Sequence, residues 1–176
     1  KLNPFLKRIE QDLYDRLGKH QTFRSQEKIL KQLNATYDNS LAELSLFVDQ
    51  YETGLVEFGM TQAEFAASSY TAAQGLEFAV PAVRQIRAAA FSRPFANTFL
   101  KESLAAFSKE QARMIKNKIA LGFAEGLTNQ QIISNVVGTS ELNYMDGALN
   151  VTKNNASRLV RTATQHMSSS AQLATF

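Results

Sequence analysis

The 176-residue sequence contains no cysteine. A disulfide framework and a thiol-ligated metal site are therefore excluded. Long hydrophobic runs are also missing, because nowhere do eighteen apolar residues follow one another, and the first residues lack the apolar core of a secretion signal. The sequence thus predicts a soluble protein without a free-standing membrane-spanning helix, and its length is sufficient to bury a hydrophobic core of its own.

Recognisable catalytic and metal-binding motifs are absent as well. The sequence has no Gly-rich phosphate loop after a strand, no His-Glu-x-x-His zinc helix and no acidic calcium loop. Its two histidines, His20 and His166, have no supporting ligand cluster, and we expect both to be solvated or locally bonded. We therefore predict a protein that is not an enzyme, with no catalytic residues, no metal site and no cofactor.

Positive charge is missing from one long stretch of the chain. Residues 34–80 contain seven acidic residues and no Lys or Arg, whereas residues 81–118 contain eight basic residues and two acidic ones. The pattern indicates either an internal fold of acidic on basic helices or subunits that meet through faces of opposite charge. Two solvated helix faces of opposite sign would give the same pattern. By charge, the chain divides into an N-terminal long-helix region, 1–80, with an acidic second half, and a basic helical region, 81–176.

Helix signals follow one another with little room for strands. Asn3 is a predicted N-cap before Pro4, and the first helix then repeats apolar residues at every fourth position up to a stop at Gly18. A long second helix is predicted from Ile29 to Phe58, where apolar residues adopt the spacing of a helix that pairs with another helix. Gly59 is predicted to end it.

Further helix starts are predicted from capping boxes and from isolated start signals. The boxes begin at Thr61, Ser108 and Thr128, and the other starts are Pro81 and Asn97. We therefore predict an all-α protein, an extended multi-helix bundle with a long early helix and a C-terminal amphipathic helix. Its helix content should exceed roughly two thirds, well above the average for globular domains.

The last part of the chain is predicted to be a loop followed by a helix. Residues 139–151 are the least periodic, whereas the segment from Ala156 to Ala174 separates into an apolar and a polar face at roughly 100° per residue. Arg158 and Arg161 lie on the polar face, so this helix should dock with two arginines outward. No stop signal precedes Phe176, and we expect the sequence to be a fragment of a longer chain.

The segment SRLVRTATQHMSSSA, residues 157–171, resembles the terminal helix of tailed-phage head morphogenesis proteins, the Mu-type minor head family. The family pattern is approximately an apolar residue followed by Ala-Arg-Thr-Glu-Thr, small residues and Asn. Arg161 and Thr162 match it, but Ala163 stands where the family has its acidic residue. The preceding segment, residues 119–137, is similar to the family's helix, Gly-Leu-Thr or Gly-Leu-Ser break and short helix, and "LAELSLFVDQYETGLVEFG" is similar to its long early helix.

The resemblance implies a non-enzymatic minor virion protein of a tailed bacteriophage, located inside the head and, during assembly, in the host cytoplasm. It would act in head assembly near the portal and in genome packaging or ejection. Capsid or portal proteins are the implied partners, with Arg158, Arg161 and Thr162 as partner-binding residues. Because of the charge segregation, we also expect a homo-oligomer.

Pairs of cations on single helical faces predict contact with nucleic acid. Arg84 with Arg87, and Arg113 with Lys116 and the nearby Lys118, are placed to meet phosphates without reading bases. We therefore predict non-specific binding of double-stranded DNA by these five residues.

Two other interpretations stay open. The first is an internal ejection protein whose amphipathic helices form a conduit or lie on a membrane during infection, and the second is a cellular helical adaptor that binds no nucleic acid. Binding to anionic liposomes would favour the ejection protein, and co-purification with capsid or portal proteins would favour the head protein. An adaptor would show neither.

The charge segregation leads to a first testable prediction. If subunits meet through the acidic region 34–80 and the basic region 81–118, association should weaken as salt rises, because exposed charges are screened beyond about 8 Å at physiological ionic strength. Sedimentation velocity at low and high salt measures this change. Identical sedimentation at both salt concentrations would rule out assembly driven by these charges.

Overall fold

The fold is all-α, as predicted. A computed structural model describes residues 1–19 and 25–175, and it is 81% helical, above the two thirds expected from the sequence. His20 and Phe176 lie outside the described residues. The helices are α1 (Asn3–Leu17), α2 (Gln26–Gln74), α3 (Val83–Phe91), α4 (Leu100–Ala124), α5 (Asn129–Val137) and α6 (Ala148–Ala174). Between α3 and α4, the two-residue strands β1 (Pro94–Phe95) and β2 (Thr98–Phe99) pair antiparallel.

The chain groups into two compact units. Unit 1 comprises Lys1–Phe47 and Ala106–Ser157, and unit 2 comprises Val48–Ala105 and Arg158–Phe176. Helices α2, α4 and α6 each contribute residues to both units. The units do not coincide with the regions 1–80 and 81–176, which differ in charge.

In unit 1, α1 lies against the first part of α2. The predicted inward face of α1 is buried, consisting of Phe5, Ile9, Leu13 and Leu17. The ring of Phe5 meets that of Phe47 edge-on at 5.9 Å between centroids, and Phe47 contacts Phe107 of α4 at 6.3 Å. At the rim, Arg8 Nε pairs with a carboxylate oxygen of Glu43 at 2.7 Å. Aromatic packing of this kind adds to the area that the side chains bury.

Helix α5 has the predicted start and is hydrogen-bonded to the end of α1. Thr128 Oγ1 accepts a hydrogen bond from the amide of Gln131, and Gln131 Oε1 accepts one from the amide of Thr128 at 2.9 Å. This reciprocal box satisfies two amides that the first turn leaves without partners. The buried Asn129 then donates from Nδ2 to the carbonyl of Leu17 at 3.0 Å, which satisfies a terminal carbonyl of α1.

The predicted break of the second helix at Gly59 is wrong, since α2 continues to Gln74. Thr61 is accordingly not an N-cap, and its hydroxyl donates to the carbonyl of Glu57, as in a helix interior. Gly59 is instead a packing position in unit 2. A Cβ atom there would lie 2.8 Å from Met167 Sδ and 3.0 Å from Ile86 Cγ2. Only glycine lets these side chains approach the backbone of α2 so closely.

The separate helices predicted from Asn97 and Ser108 are also wrong, since α4 runs unbroken from Leu100 to Ala124. Asn97 lies in the turn between β1 and β2, next to Ala96 with a φ of 53°. Ser108 is buried inside α4. Its spacing to Gln111 is that of a capping box and therefore predicted a helix start. The helix nevertheless continues through Ser108, because tertiary packing stabilises helices more than local signals do.

Three predicted boundaries shift. Asn3 lies within the first turn of α1 and makes no capping hydrogen bond, and α3 begins at Val83, two residues after Pro81. Val83 is exposed rather than inward, while Ile86 and Ala90 of α3 are buried as expected. The predicted loop 139–151 ends earlier, because α6 already begins at Ala148.

The two glycines of α2 form a matched pair for testing the role of Gly59. Gly54→Ala should stabilise the protein by up to about 1 kcal/mol, because alanine is the better helix former and nothing lies within 4 Å of the added atom. Gly59→Ala gains the same propensity but must displace Met167, which overpacks unit 2 at a cost of about 1 to 3 kcal/mol. Urea unfolding measures both variants. Equal stabilisation by both would contradict the close approach at Gly59.

Candidate functional site

The part of α6 that lies in unit 2 carries the motif that resembles the phage family. Its inward face is confirmed in its centre, where Ala163, Met167, Ser170 and Ala171 are buried, while Leu159 and Val160 are half-buried. Three of the four buried side chains, Ala163, Ser170 and Ala171, are small, so the helix backbone can lie close to its neighbours. The burial of this stripe fixes which residues of α6 face outward.

Hydrogen bonds attach this part of α6 to α2. The hydroxyl of Tyr51 donates to the carbonyl of Val160 at 3.0 Å and lies 3.1 Å from Thr164 Oγ1. Burial raises the pKa of Tyr51 above its ordinary value, and the hydrogen bond with Thr164 opposes that rise. One helical turn later, Ser168 Oγ donates to Gln62 Oε1 at 3.1 Å. Neither arginine of the motif takes part in this attachment.

His166 is locally bonded, as expected from the sequence. Its Nε2 lies 2.7 Å from the carbonyl oxygen of Ala90 at the end of α3, so this nitrogen must carry the proton and donate. The ring also meets Phe95 edge-on, with 5.4 Å between centroids. The histidine thus connects α6 to α3 and to β1 within unit 2.

The three predicted partner-binding residues lie on the outer side of α6. Arg158, Arg161 and Thr162 are all exposed, and the hydroxyl of Thr162 donates to the carbonyl of Arg158 at 3.1 Å. In the described part of the chain, neither arginine makes an ion pair or a side-chain hydrogen bond. Both guanidinium groups are therefore free to bind an anionic group outside unit 2.

Two of the predicted DNA-binding residues, Arg84 and Arg87, lie on α3 in unit 2. Arg87 pairs with Glu52 of α2, and its guanidinium carbon lies 5.5 Å from the centroid of the Phe91 ring. This pair joins the acidic region to the basic region within one unit. Arg84 is exposed and has no described ion pair. Of the two, Arg84 is the one whose charge is available to a ligand.

The other three, Arg113, Lys116 and Lys118, lie on α4 in unit 1. Lys116 Nζ donates to Asn34 Oδ1 at 2.9 Å and lies 5.4 Å from the centroid of the Tyr37 ring. Arg113 and Lys118 instead line a groove of about 560 Å³ between α4 and the start of α6. The five cations are thus distributed over two compact units, and two of them already have protein partners.

The groove beside α4 was not predicted from the sequence. Its walls come from α4 residues at helical spacing, from the loop before α6, and from α6 itself. The wall residues are Glu110, Arg113, Met114, Asn117, Lys118, Leu121, Asp146, Ala148 and Val151. The periodicity of α4 placed Leu121 and Met114 beside its cations, but no sequence signal related that face to residues some thirty positions later.

Residues 1–19 and 25–175 contain no group of three or more potential metal-ligating side chains. In the same residues, no helix is both long and apolar enough to cross a membrane. Comparison with protein-family models, with characterised proteins and with solved structures finds no match for this chain.

The two faces of α6 make a second stability test. Ala163→Glu would place a carboxylate in the fully buried face, where it loses its hydration, and should destabilise the protein by several kcal/mol. Arg161→Glu introduces the same side chain two residues earlier on the exposed face and, like Arg161→Ala, should change stability by no more than about 0.5 kcal/mol.

Thermal and urea unfolding of the three variants test this contrast. If Ala163→Glu folds as stably as the parent protein, α6 is not docked through this face. If Arg161→Ala alone unfolds the protein, the arginine is part of the core rather than a free binding group.

Proposed function

We propose that this chain belongs to a non-enzymatic minor head protein of a tailed bacteriophage, which binds capsid or portal proteins through α6 and acts in head assembly and in genome packaging or ejection. The observation that carries this proposal is that the two faces of α6 have different contacts. Its inward face and its hydrogen bonds to α2 attach the helix without Arg158 or Arg161. The two arginines are therefore not needed for folding and are available to a partner.

The chemistry of these arginines favours a carboxylate or phosphate ligand. Arg158 and Arg161 are three residues apart and thus neighbours on the helix surface. Each guanidinium can form a bidentate, charge-assisted contact, which contributes about 1.5 to 3 kcal/mol. Binding of an external ligand would break no internal ion pair, because Arg158 and Arg161 make none with the described residues.

The class of partner comes from the resemblance. Arg161 and Thr162 match the family's Arg-Thr motif, and the all-α fold agrees with the helical pattern of the family. The departure at Ala163 is consistent with the docked helix, because a glutamate at this fully buried position would lose its hydration. This chain has the arginine of the motif, Arg161, but not its acidic residue, so only the outward-facing part of the motif can bind a partner.

A contact with double-stranded DNA is the second part of the proposal. Arg84, Arg113 and Lys118 have no described ion pair, whereas Arg87 is paired with Glu52 and Lys116 is bonded to Asn34. We expect the first three to contribute most to binding, which should be non-specific and strongly dependent on salt. Such a protein would work inside the head of the virion and, during assembly, in the host cytoplasm.

The experiment compares incorporation into phage heads for the parent protein and the double variant Arg158→Ala/Arg161→Ala. We expect the double variant to keep the melting temperature of the parent, yet to co-purify with capsid or portal proteins at a level at least about tenfold lower, since two lost charge-assisted contacts exceed 1.4 kcal/mol. The matched control is Gln165→Ala, which changes an exposed, uncharged residue of the same face.

The outcomes separate the proposed function from its alternatives. Equal incorporation of the double variant and the parent would remove the role of the arginines. A parent protein that is absent from heads but floats with anionic liposomes would be an ejection protein, and one that does neither would be a cellular adaptor. For DNA, Arg113→Ala should reduce retention on duplex DNA more than Arg87→Ala does.

A further inference from the structure

Unit 1 contains a second pocket, which shares no residue with the groove beside α4. We call it the α1–α6 pocket, because most of its lining comes from the first turns of these two helices. Its volume is about 480 Å³, within the range of pockets that hold small ligands. Its base is apolar and is formed by three buried residues, Leu6 of α1, Val137 of α5 and Leu149 of α6.

Two lysines from different helices line this pocket. Lys7 on α1 and Lys153 on α6 are both exposed, and neither makes an ion pair with the residues that the structure describes. Of the residues that line the pocket, one is acidic, Glu10, so the lining has an excess of one positive charge. Two neighbouring cations repel each other, and an anionic group bound between them removes this repulsion. The pocket is therefore suited to an anionic ligand.

The loop 138–147, between α5 and α6, forms another wall of the pocket. A Cβ atom at Gly138, where φ is 103°, would lie 2.7 Å from Tyr144 Cα, so glycine lets the loop fold back onto the end of α5. The amide of Tyr144 donates to Thr139 O at 2.8 Å. Thr139 also donates from its amide to Asp146 Oδ1 at 2.8 Å and from its hydroxyl to Oδ2 at 3.0 Å, which holds the pKa of Asp146 below its usual range. These bonds fix the position of Tyr144.

A tyrosine and three asparagines complete the lining. Asn143 and Tyr144 have φ angles of 51° and 59°, in the left-handed region, which is costly for a tyrosine, and Tyr144 is 54% exposed. Asn150 Nδ2 donates to Met145 O at 2.9 Å, which leaves its Oδ1 able to accept, and Asn3 is the third asparagine. An exposed aromatic residue beside amide groups is suited to a planar ligand that has hydrogen-bond donors and acceptors at its edge.

We propose that the α1–α6 pocket binds one nucleotide, with the phosphate at Lys7 and Lys153 and the base at Tyr144 and the asparagine amides. Ammonium groups form charge-assisted contacts with phosphate, aromatic rings stack on any base, and amides hydrogen-bond base edges. The carboxylate of Glu10 accepts a hydrogen bond from a sugar hydroxyl. A bare phosphate would leave Tyr144 and the apolar base of the pocket unused, and a neutral apolar ligand would leave both lysines unused.

The nucleotide is either free or part of a single strand. A base in duplex DNA is paired and stacked, and it must leave the stack before it can enter a pocket. Duplex DNA is therefore not the ligand of this pocket. None of the five cations that we expect to contact duplex DNA lines it. The inference thus goes beyond the proposed function and does not depend on it.

Isothermal titration calorimetry tests the class of ligand. The probes are the common nucleoside monophosphates, a short single-stranded oligonucleotide of mixed sequence, and inorganic phosphate. We expect a monophosphate or the oligonucleotide to bind at least about tenfold more tightly than inorganic phosphate, because the base adds stacking to the phosphate contact. Binding of a monophosphate identifies a free nucleotide, and binding of the oligonucleotide alone identifies a single strand. Binding of neither, or equally tight binding of inorganic phosphate, would overturn the proposal.

Lysine substitutions test the location of the phosphate. Lys7→Ala and Lys153→Ala should each weaken nucleotide binding at least about tenfold, because each removes a charge-assisted contact. The matched control is Lys28→Ala, which changes an exposed lysine of unit 1 that does not line the pocket. It should leave the affinity unchanged. Equal weakening by the control, or none by the two pocket variants, would show that the nucleotide does not bind here.

Two substitutions of Tyr144 test the location of the base. Tyr144→Phe keeps the ring and should bind the nucleotide as tightly as the parent protein. Tyr144→Asn removes the ring, and asparagine tolerates the left-handed conformation, so the loop should keep its backbone. This variant should bind the nucleotide at least about fivefold more weakly but inorganic phosphate unchanged. Undiminished nucleotide binding by Tyr144→Asn would contradict the proposed position of the base.

Retention on duplex DNA distinguishes this pocket from the proposed duplex contact. Lys7→Ala, Lys153→Ala and Tyr144→Asn should leave duplex retention unchanged, whereas Arg113→Ala should reduce it and leave nucleotide binding unchanged. If the two lysine variants reduce duplex retention as much as nucleotide binding, the lysines are general phosphate contacts and the nucleotide pocket is refuted. If Arg113→Ala has no effect on duplex retention, the proposed duplex contact fails while the nucleotide pocket stands.

Discussion

The close approach at Gly59 is the constraint on which the proposed function depends. Because position 59 has no side chain, Met167 of α6 and Ile86 of α3 can lie against the backbone of α2 in unit 2. That contact orients α6 so that Ala163 is fully buried and Arg161 is exposed. A larger residue at 59 would displace Met167 and, with it, the face that the helix presents. The helix propensity lost at glycine, about 1 kcal/mol, is small beside the packing that it permits.

The cations of the basic region illustrate how internal and external ligands compete. Arg87 is bound by Glu52 and Lys116 by Asn34, whereas Arg113 and Lys118, which line the groove, make no ion pair with the residues that the structure describes. An exposed ion pair contributes at most about 1 kcal/mol. DNA could therefore displace Glu52 from Arg87, but at a cost that the free cations do not incur. The order of contribution to DNA binding that we propose follows from this difference, which depends on the tertiary contacts of each cation.

Strain and exposure coincide at the loop from Gly138 to Gly147. A chain that only needed to connect α5 to α6 would not require left-handed conformations at Asn143 and Tyr144, nor a carboxylate clamp from Asp146 to Thr139. Together these features keep apolar side chains in water at a fixed position.

What the sequence by itself determined is the local structure. Periodicity and caps correctly predicted the buried face of α1, the box at Thr128 that begins α5, and the outward direction of Arg158 and Arg161, because each depends on residues within a few turns. Only the tertiary structure decided that the helices continue through Gly59 and Ser108. Both match local signals for a helix boundary, yet both lie inside continuous helices: Gly59 is packed against Met167 and Ile86, and Ser108 is buried.

The groove and the partners of the charged residues were likewise decided by the tertiary structure. Leu121 and Val151 lie on different helices, and no periodicity relates them. Whether a cation is free depends on which carboxylate or amide the fold brings within hydrogen-bonding distance, as Glu52 is brought to Arg87. Helical spacing fixes the direction of a side chain relative to the axis of its own helix. Which residues of other helices the side chain contacts depends on how the helices pack, and the order of the helices along the chain does not determine that packing.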